Sequence, residues 1–85
     1  MILERNMFVQ YRSINGKKFL AKNYKAYELD EIGEIVWESI DGNTDIYEIC
    51  EKISKKYSVD INIVKNDVEE FIRDLLSKNL IEEVV

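Results

Sequence analysis

Cys50, five serines and seventeen carboxylates are the side chains from which this 85-residue chain would build nucleophilic or acid–base chemistry. Histidine is absent. That removes the usual general base at neutral pH, the imidazole metal ligand and a member of most nucleophilic triads. Ser13, Ser39, Ser54, Ser58 and Ser77 have no evident activating partner. One cysteine allows neither an internal disulfide nor a thiolate cluster for zinc. Cys50 falls on the apolar side of a helical pattern, where a buried structural thiol is expected, although an odd cysteine leaves an intermolecular bridge or redox role open. Carboxylates alone can run catalysis, as in glycosidases, but so short a chain has little room for a cleft beside a core. The expectation is a binding protein without catalysis, metal or cofactor.

A chain of this size folds around a single core, so residues 1–85 are read as one domain. Apolar residues make up 46%, enough for that core, and the 34% that are charged argue for a water-soluble surface. No apolar run approaches the roughly 20 residues of a membrane span. Glu4 and Arg5 interrupt the start before a signal-peptide core could develop. A cytoplasmic protein without membrane contact is expected.

The elements that must position any binding site are strands first, then helices. Phe8 to Arg12 mixes β-branched and aromatic residues with polar ones, and Asn15-Gly16 is a favoured two-residue hairpin turn. Lys18 to Ala21 reads as the return strand. Asn23 punctuates, and a third strand follows from about Tyr24 to Leu29, with Tyr27 and Leu29 on one face. Asp30 then caps a helix whose stripe is Ile32, Ile35, Val36 and Ile40, ending at Asp41-Gly42. Thr44 or Asp45 caps a second, with Ile46, Ile49, Cys50, Ile53 and Tyr57 inward. Ser58 to Asp60 starts a third and longer helix with Val64, Val68, Phe71, Ile72, Leu75 and Leu76 as its stripe, closed by Asn79. Leu80 to Val84 forms a last short strand or a docked tail. The spans are strands over about 7–29 and helices over about 31–41, 45–57 and 60–78. This is an α+β order: a three-stranded antiparallel sheet followed by a three-helix bundle, winged helix-turn-helix-like in outline.

Charge argues against the DNA-binding role which that outline suggests. Residues 1–29 carry a balance of +4, residues 30–85 one of −9, and the third helix, from its capping Asp60 to Lys78, is net −2. Phosphate neutralisation supplies most non-specific DNA affinity, so an acidic recognition helix repels the backbone it must enter. A winged-helix transcription regulator, or a bare protein–protein interaction module, stays as the alternative. No nucleic acid is expected as a partner.

At the strand–helix junction the chain reads Tyr27-Glu28-Leu29-Asp30 through Val36-Trp37 to Asp41-Gly42. Thr44-Asp45-Ile46 follows, and later Asp67-Val68-Glu69-Glu70-Phe71-Ile72 with Asn79-Leu80-Ile81. From roughly Phe8 to Ile81 this ordered set resembles the PqqD family of peptide chaperones and recognition elements for ribosomally made, post-translationally modified peptides. The resemblance implies a precursor leader peptide lying as an extended strand between the third strand and the third helix. It also implies a modifying partner, a radical S-adenosylmethionine enzyme or a leader peptidase, and no activity of the chain itself.

The residues agree with that role on their own physics. A proline-free third strand at a sheet edge is a template for strand addition. Four or five ladder bonds at a net ~1 kcal/mol each and two buried aliphatic side chains at ~2 each, less about 2–5 for ordering the leader, put micromolar affinity at the upper end. The expected contacts are Tyr24, Lys25, Ala26, Tyr27 and Glu28 on the strand. On the helix they are Val68, Ile72 and Leu76, with Lys65, Glu69 and Arg73 at the margin. Taken singly, Val68, Ile72 and Leu76 read first as core residues and only second as groove. Trp37 is assigned to the core, and a strand edge could also pair with its own copy to make a homodimer.

Overall fold

Two small antiparallel sheets and three helices make up the computed structural model, which describes residues 1–84. β1 (Leu3–Arg5) pairs with β5 (Ile81–Glu83). β2 (Gln10–Ile14), β3 (Lys17–Lys22) and β4 (Lys25–Leu29) form a three-stranded sheet in that order. Between β4 and β5 come α1 (Glu31–Ser39), α2 (Ile46–Tyr57) and α3 (Ile61–Ser77).

Local chemistry places most of these boundaries. Asn15 and Gly16 turn β2 into β3 with φ of 52° and 79°, the two positive values a type I′ turn requires. Asp30, Asp45 and Asp60 cap the three helices by accepting from the N–H groups of Gly33, Tyr47 and Asn62. Asn79 is left-handed beyond α3, with φ 57°.

Four boundaries differ from expectation. β2 runs from Gln10 to Ile14, whereas the expected first strand spans Phe8 to Arg12. α1 stops at Ser39, not at 41, because Ile40 is extended and buried (1% exposed). Asp41 then collects the N–H groups of Asn43 and Thr44 at 2.9 and 2.8 Å. These bonds, with that from the Thr44 hydroxyl, hold the Asp41 carboxyl below its ordinary value. Ser58 closes α2 in the left-handed region, φ 53°, rather than opening α3. Tyr24 lies in the β3–β4 turn rather than in the strand. With Asn23 it forms a second two-residue turn at φ of 52° and 64°, and its side chain is fully exposed.

A tyrosine at positive φ carries a steric cost of roughly 1–2 kcal/mol that glycine avoids. Glycine gives back about 0.4–1 kcal/mol through the entropy of the unfolded chain. Tyr24→Gly is therefore expected to stabilise the protein by about 0.5–1 kcal/mol, read as a higher urea midpoint at unchanged slope. A lowered midpoint would mean that the Tyr24 ring makes stabilising contacts after all.

Leu20 and Leu29 enter the core from the inner face of the larger sheet and join Val36 and Trp37 of α1 and Ile40 just beyond it. Ile49, Cys50 and Ile53 of α2 and Val64, Val68, Ile72 and Leu75 of α3 complete it. Cys50 is fully buried, and burial pushes its thiol above the ordinary value. Trp37, 1% exposed, joins the two sheets. The Arg5 guanidinium of β1 lies 5.4 Å from its ring centre and donates to the Trp37 and Glu38 carbonyls. Those carbonyls belong to the last turn of α1, which has no basic residue of its own; β1 supplies the missing cation. From β2, Tyr11 tilts against the same indole at 6.4 Å and donates its hydroxyl to Glu38 at 2.6 Å. The outer face of this sheet is left to solvent: Gln10, Arg12, Ala26 and Glu28 are exposed, Phe19 and Ala21 half-buried.

Candidate functional site

β4 is an outer strand whose only strand partner among the described residues is β3. The pair Lys22↔Lys25 flanks the two-residue turn and is followed by Ala21↔Ala26, Leu20↔Tyr27, Phe19↔Glu28 and Lys18↔Leu29. In a two-residue hairpin the flanking pair exchanges both hydrogen bonds, and bonded and non-bonded pairs then alternate. Lys25, Tyr27 and Leu29 therefore turn their main-chain groups towards β3. Ala26 and Glu28 turn theirs outward, two N–H donors and two carbonyl acceptors on a free edge. With no proline in the chain, nothing in β4 blocks a strand from adding there.

Side chains of α3 stand beside this strand. Gly33, one turn into α1, leaves a notch: a Cβ there would lie 3.3 Å from Phe71 Cζ and 3.4 Å from Leu29 Cδ2. The missing side chain lets the half-buried Phe71 ring come up to α1 and the end of β4. Two turns on, the Lys78 ammonium sits 4.8 Å from the Tyr27 ring centre and pairs with Asp74 at 2.6 Å. Tyr27 and Phe71 thus supply apolar surface next to the free edge, and Asp74 and Lys78 a polar margin. Exposed Asp67 and Glu70 continue the same side of α3, and neither is in an ion pair among the described residues.

The expected contacts divide into several groups. Lys25, Ala26, Tyr27 and Glu28 lie on β4, while Tyr24 stands in the turn before it. Val68 and Ile72 are core residues at 1% and 3% exposure. Lys65, Glu69, Ile72, Arg73 and Leu76 line a different hollow of about 490 Å³, shared with Asp45, Ile46, Tyr47 and Cys50 at the start of α2. The helix presents this flank to α2 and its Phe71–Lys78 flank to β4. Residues 71 and 72 differ by about 100° around a helix axis, enough to separate the two. Phe71, Asp74, Lys78 and Gly33 are the neighbours of β4 that sequence reasoning missed. Glycine in the first turn of an otherwise well-formed helix was the available signal, since it costs helix stability unless something packs closely against it.

Residues 19–81 match the family model described as coenzyme PQQ synthesis protein D (PqqD). Among solved structures, one described as TbiB1 in complex with the TbiA(beta) leader peptide is 26% identical. It superposes with a TM-score of 0.83 over 96% of this chain and 98% of that one. A PqqD truncation of Methylobacterium extorquens PqqCD, described as a functional, stand-alone recognition element for ribosomally synthesised and post-translationally modified peptides, is 20% identical. Its TM-score is 0.82 over 96% of this chain and 89% of that one, a likeness of fold. No curated protein matches the chain.

Proposed function

The chain belongs to the PqqD family, and from that premise we propose that it binds the leader of a ribosomally made precursor peptide and presents it to a modifying enzyme. The observation that carries the proposal is the outward-facing main chain of Ala26 and Glu28 on the free edge of β4. The leader adds there as a further strand. Up to four main-chain bonds give affinity that is tolerant of leader sequence, and the surface of Tyr27 and Phe71 selects side chains. The 26%-identical TbiB1 structure, described with a leader peptide, supports this reading.

The chain contributes binding and alignment, and the partner contributes the chemistry, as a radical S-adenosylmethionine enzyme or a leader peptidase would. No helix among the described residues is long and apolar enough to cross a membrane. The exposed face of α3 carries Asp67, Glu70 and Asp74, which argues against a phosphate backbone as the ligand.

Titrating fluorescently labelled leader peptides, from any precursor gene found next to the gene for this chain, into the purified protein tests the proposal. Saturable binding no tighter than about 10 μM is expected, about −7 kcal/mol at most. A folded protein that ignores the correct leader at a hundred times that concentration would end the proposal.

A further inference from the structure

Charge is distributed unevenly along the groove between β4 and α3. The two elements run in opposite senses: Phe71 meets the Gly33 notch beside Leu29, at the end of β4, and Lys78 lies over Tyr27, nearer its start. At the β3–β4 turn, Lys22 and Lys25 face each other across the ladder, on the same side of the sheet as Leu20 and Tyr27. Lys22 reaches the Asn79 carbonyl, just beyond α3, at 2.9 Å. With Lys78 this corner holds three ammonium groups, and Asp74 is the one carboxylate paired to any of them among the described residues.

The other end is acidic. Asp67, one turn before Phe71, lines a hollow of about 600 Å³ with Glu70, Phe71 and Asp74, and a second of about 310 Å³ with Glu31. Arg73 is the one cation among the residues lining the two. Glu31, Asp67 and Glu70 are exposed and in no ion pair among the described residues. Like charges directly opposed across a ladder are destabilising, and clustered carboxylates repel in the same way. The fold neutralises neither end, so a bound chain with the converse pattern relieves both.

We propose that this polarity selects the leader and orients it. An acidic residue meets Lys22, Lys25 and Lys78, an apolar one meets Tyr27 and Phe71, and a basic one meets Asp67. The inference rests on the leader-binding reading and names the class of leader taken. From Asp67 to Lys78 the helix rises roughly 16 Å, which an extended chain covers in about five residues. Only every second side chain of an added strand faces α3. The acidic, apolar and basic residues therefore fall at alternate positions, with acid and base about four apart. A leader laid in the reverse sense brings like charges together at both ends. Main-chain bonds to Ala26 and Glu28 tolerate most side chains, so the charges supply the discrimination.

The test uses a fluorescent leader from a neighbouring precursor gene and a copy in which its acidic and basic residues are exchanged. Both are titrated against the wild type, Lys25→Glu, Asp67→Lys and the double variant Lys25→Glu/Asp67→Lys. The two side chains are exposed and in no ion pair among the described residues, so folding is retained. The wild type is expected to bind the exchanged copy roughly tenfold more weakly, or worse, than the natural leader. Each single variant should weaken natural-leader binding about three- to tenfold, and the double variant should prefer the exchanged copy. Salt at about 0.5 M should shrink these differences. Equal binding of the two leaders by the wild type overturns the proposal, as does a double variant that keeps the wild-type preference. So does a bound leader without opposed charges at that spacing. All three leave leader binding itself standing. A wild type that ignores the natural leader is a different failure, and it removes the proposed function as well.

Discussion

Ala26→Pro is expected to weaken leader binding roughly 10- to 100-fold while leaving the protein folded. The Ala26 N–H points away from β3, so proline at this position removes no bond of the β3–β4 ladder. Its ring instead stands on the free edge, where it deletes one donor and blocks the approach of a partner strand. A leader carbonyl left unpaired at that point costs about 1–3 kcal/mol, which is the stated range in affinity. The urea midpoint should move little. Glu28→Pro, the other outward position, should act in the same way. If both proline variants bind leader as well as the wild type, strand addition on β4 is wrong and the peptide lies elsewhere. The hollow between α2 and α3 that holds Lys65, Arg73 and Leu76 is then the next place to look.

Trp37→Ala should have the largest effect on stability, about 3–5 kcal/mol. Domains of this kind have only about 5–15 kcal/mol in total, and a chain of 85 residues lies towards the low end. Much of the variant should be unfolded at 37 °C. The loss goes beyond buried area, because the indole is what Arg5 of β1 and Tyr11 of β2 both pack against. Trp37→Phe should cost far less, about 1–2 kcal/mol. The indole N–H has no acceptor among the described residues, so phenylalanine gives up volume but no hydrogen bond. Urea unfolding followed by far-ultraviolet circular dichroism separates the two variants without using the tryptophan as probe. A Trp37→Ala protein within 1 kcal/mol of the wild type would show that the sheets are held together by something else.

What could be read from the chain alone follows the range of the interactions involved. Asp30 and Asn15-Gly16 act on neighbours a few residues away, and the apolar stripes of the three helices repeat every turn. Those elements and their order were legible for that reason, as was the free third strand. The PqqD resemblance came from the same ordered set. Other features depend on residues far apart. β1 carries only a three-residue pattern, Leu3-Glu4-Arg5, and its partner β5 lies at the opposite end of the sequence. No local signal announces such a pairing. Ile40 is apolar and in phase with α1, yet packing pulls it out of the helix into the core.

The binding site shows the same division. β4 and its open edge were readable because strand propensity and the absence of proline are local properties. The wall opposite was not. A stripe of apolar residues states that α3 is buried but leaves its rotation about its own axis open by one residue, or about 100°. Here the notch at Gly33 admits Phe71, and the packed core leaves Phe71, Asp74 and Lys78 towards β4 and Lys65, Glu69 and Leu76 towards α2. The sequence determined that a strand edge would be available, because backbone pairing follows from a short local run. Only the tertiary structure decided which side chains stand beside it, because that depends on how the whole core fills.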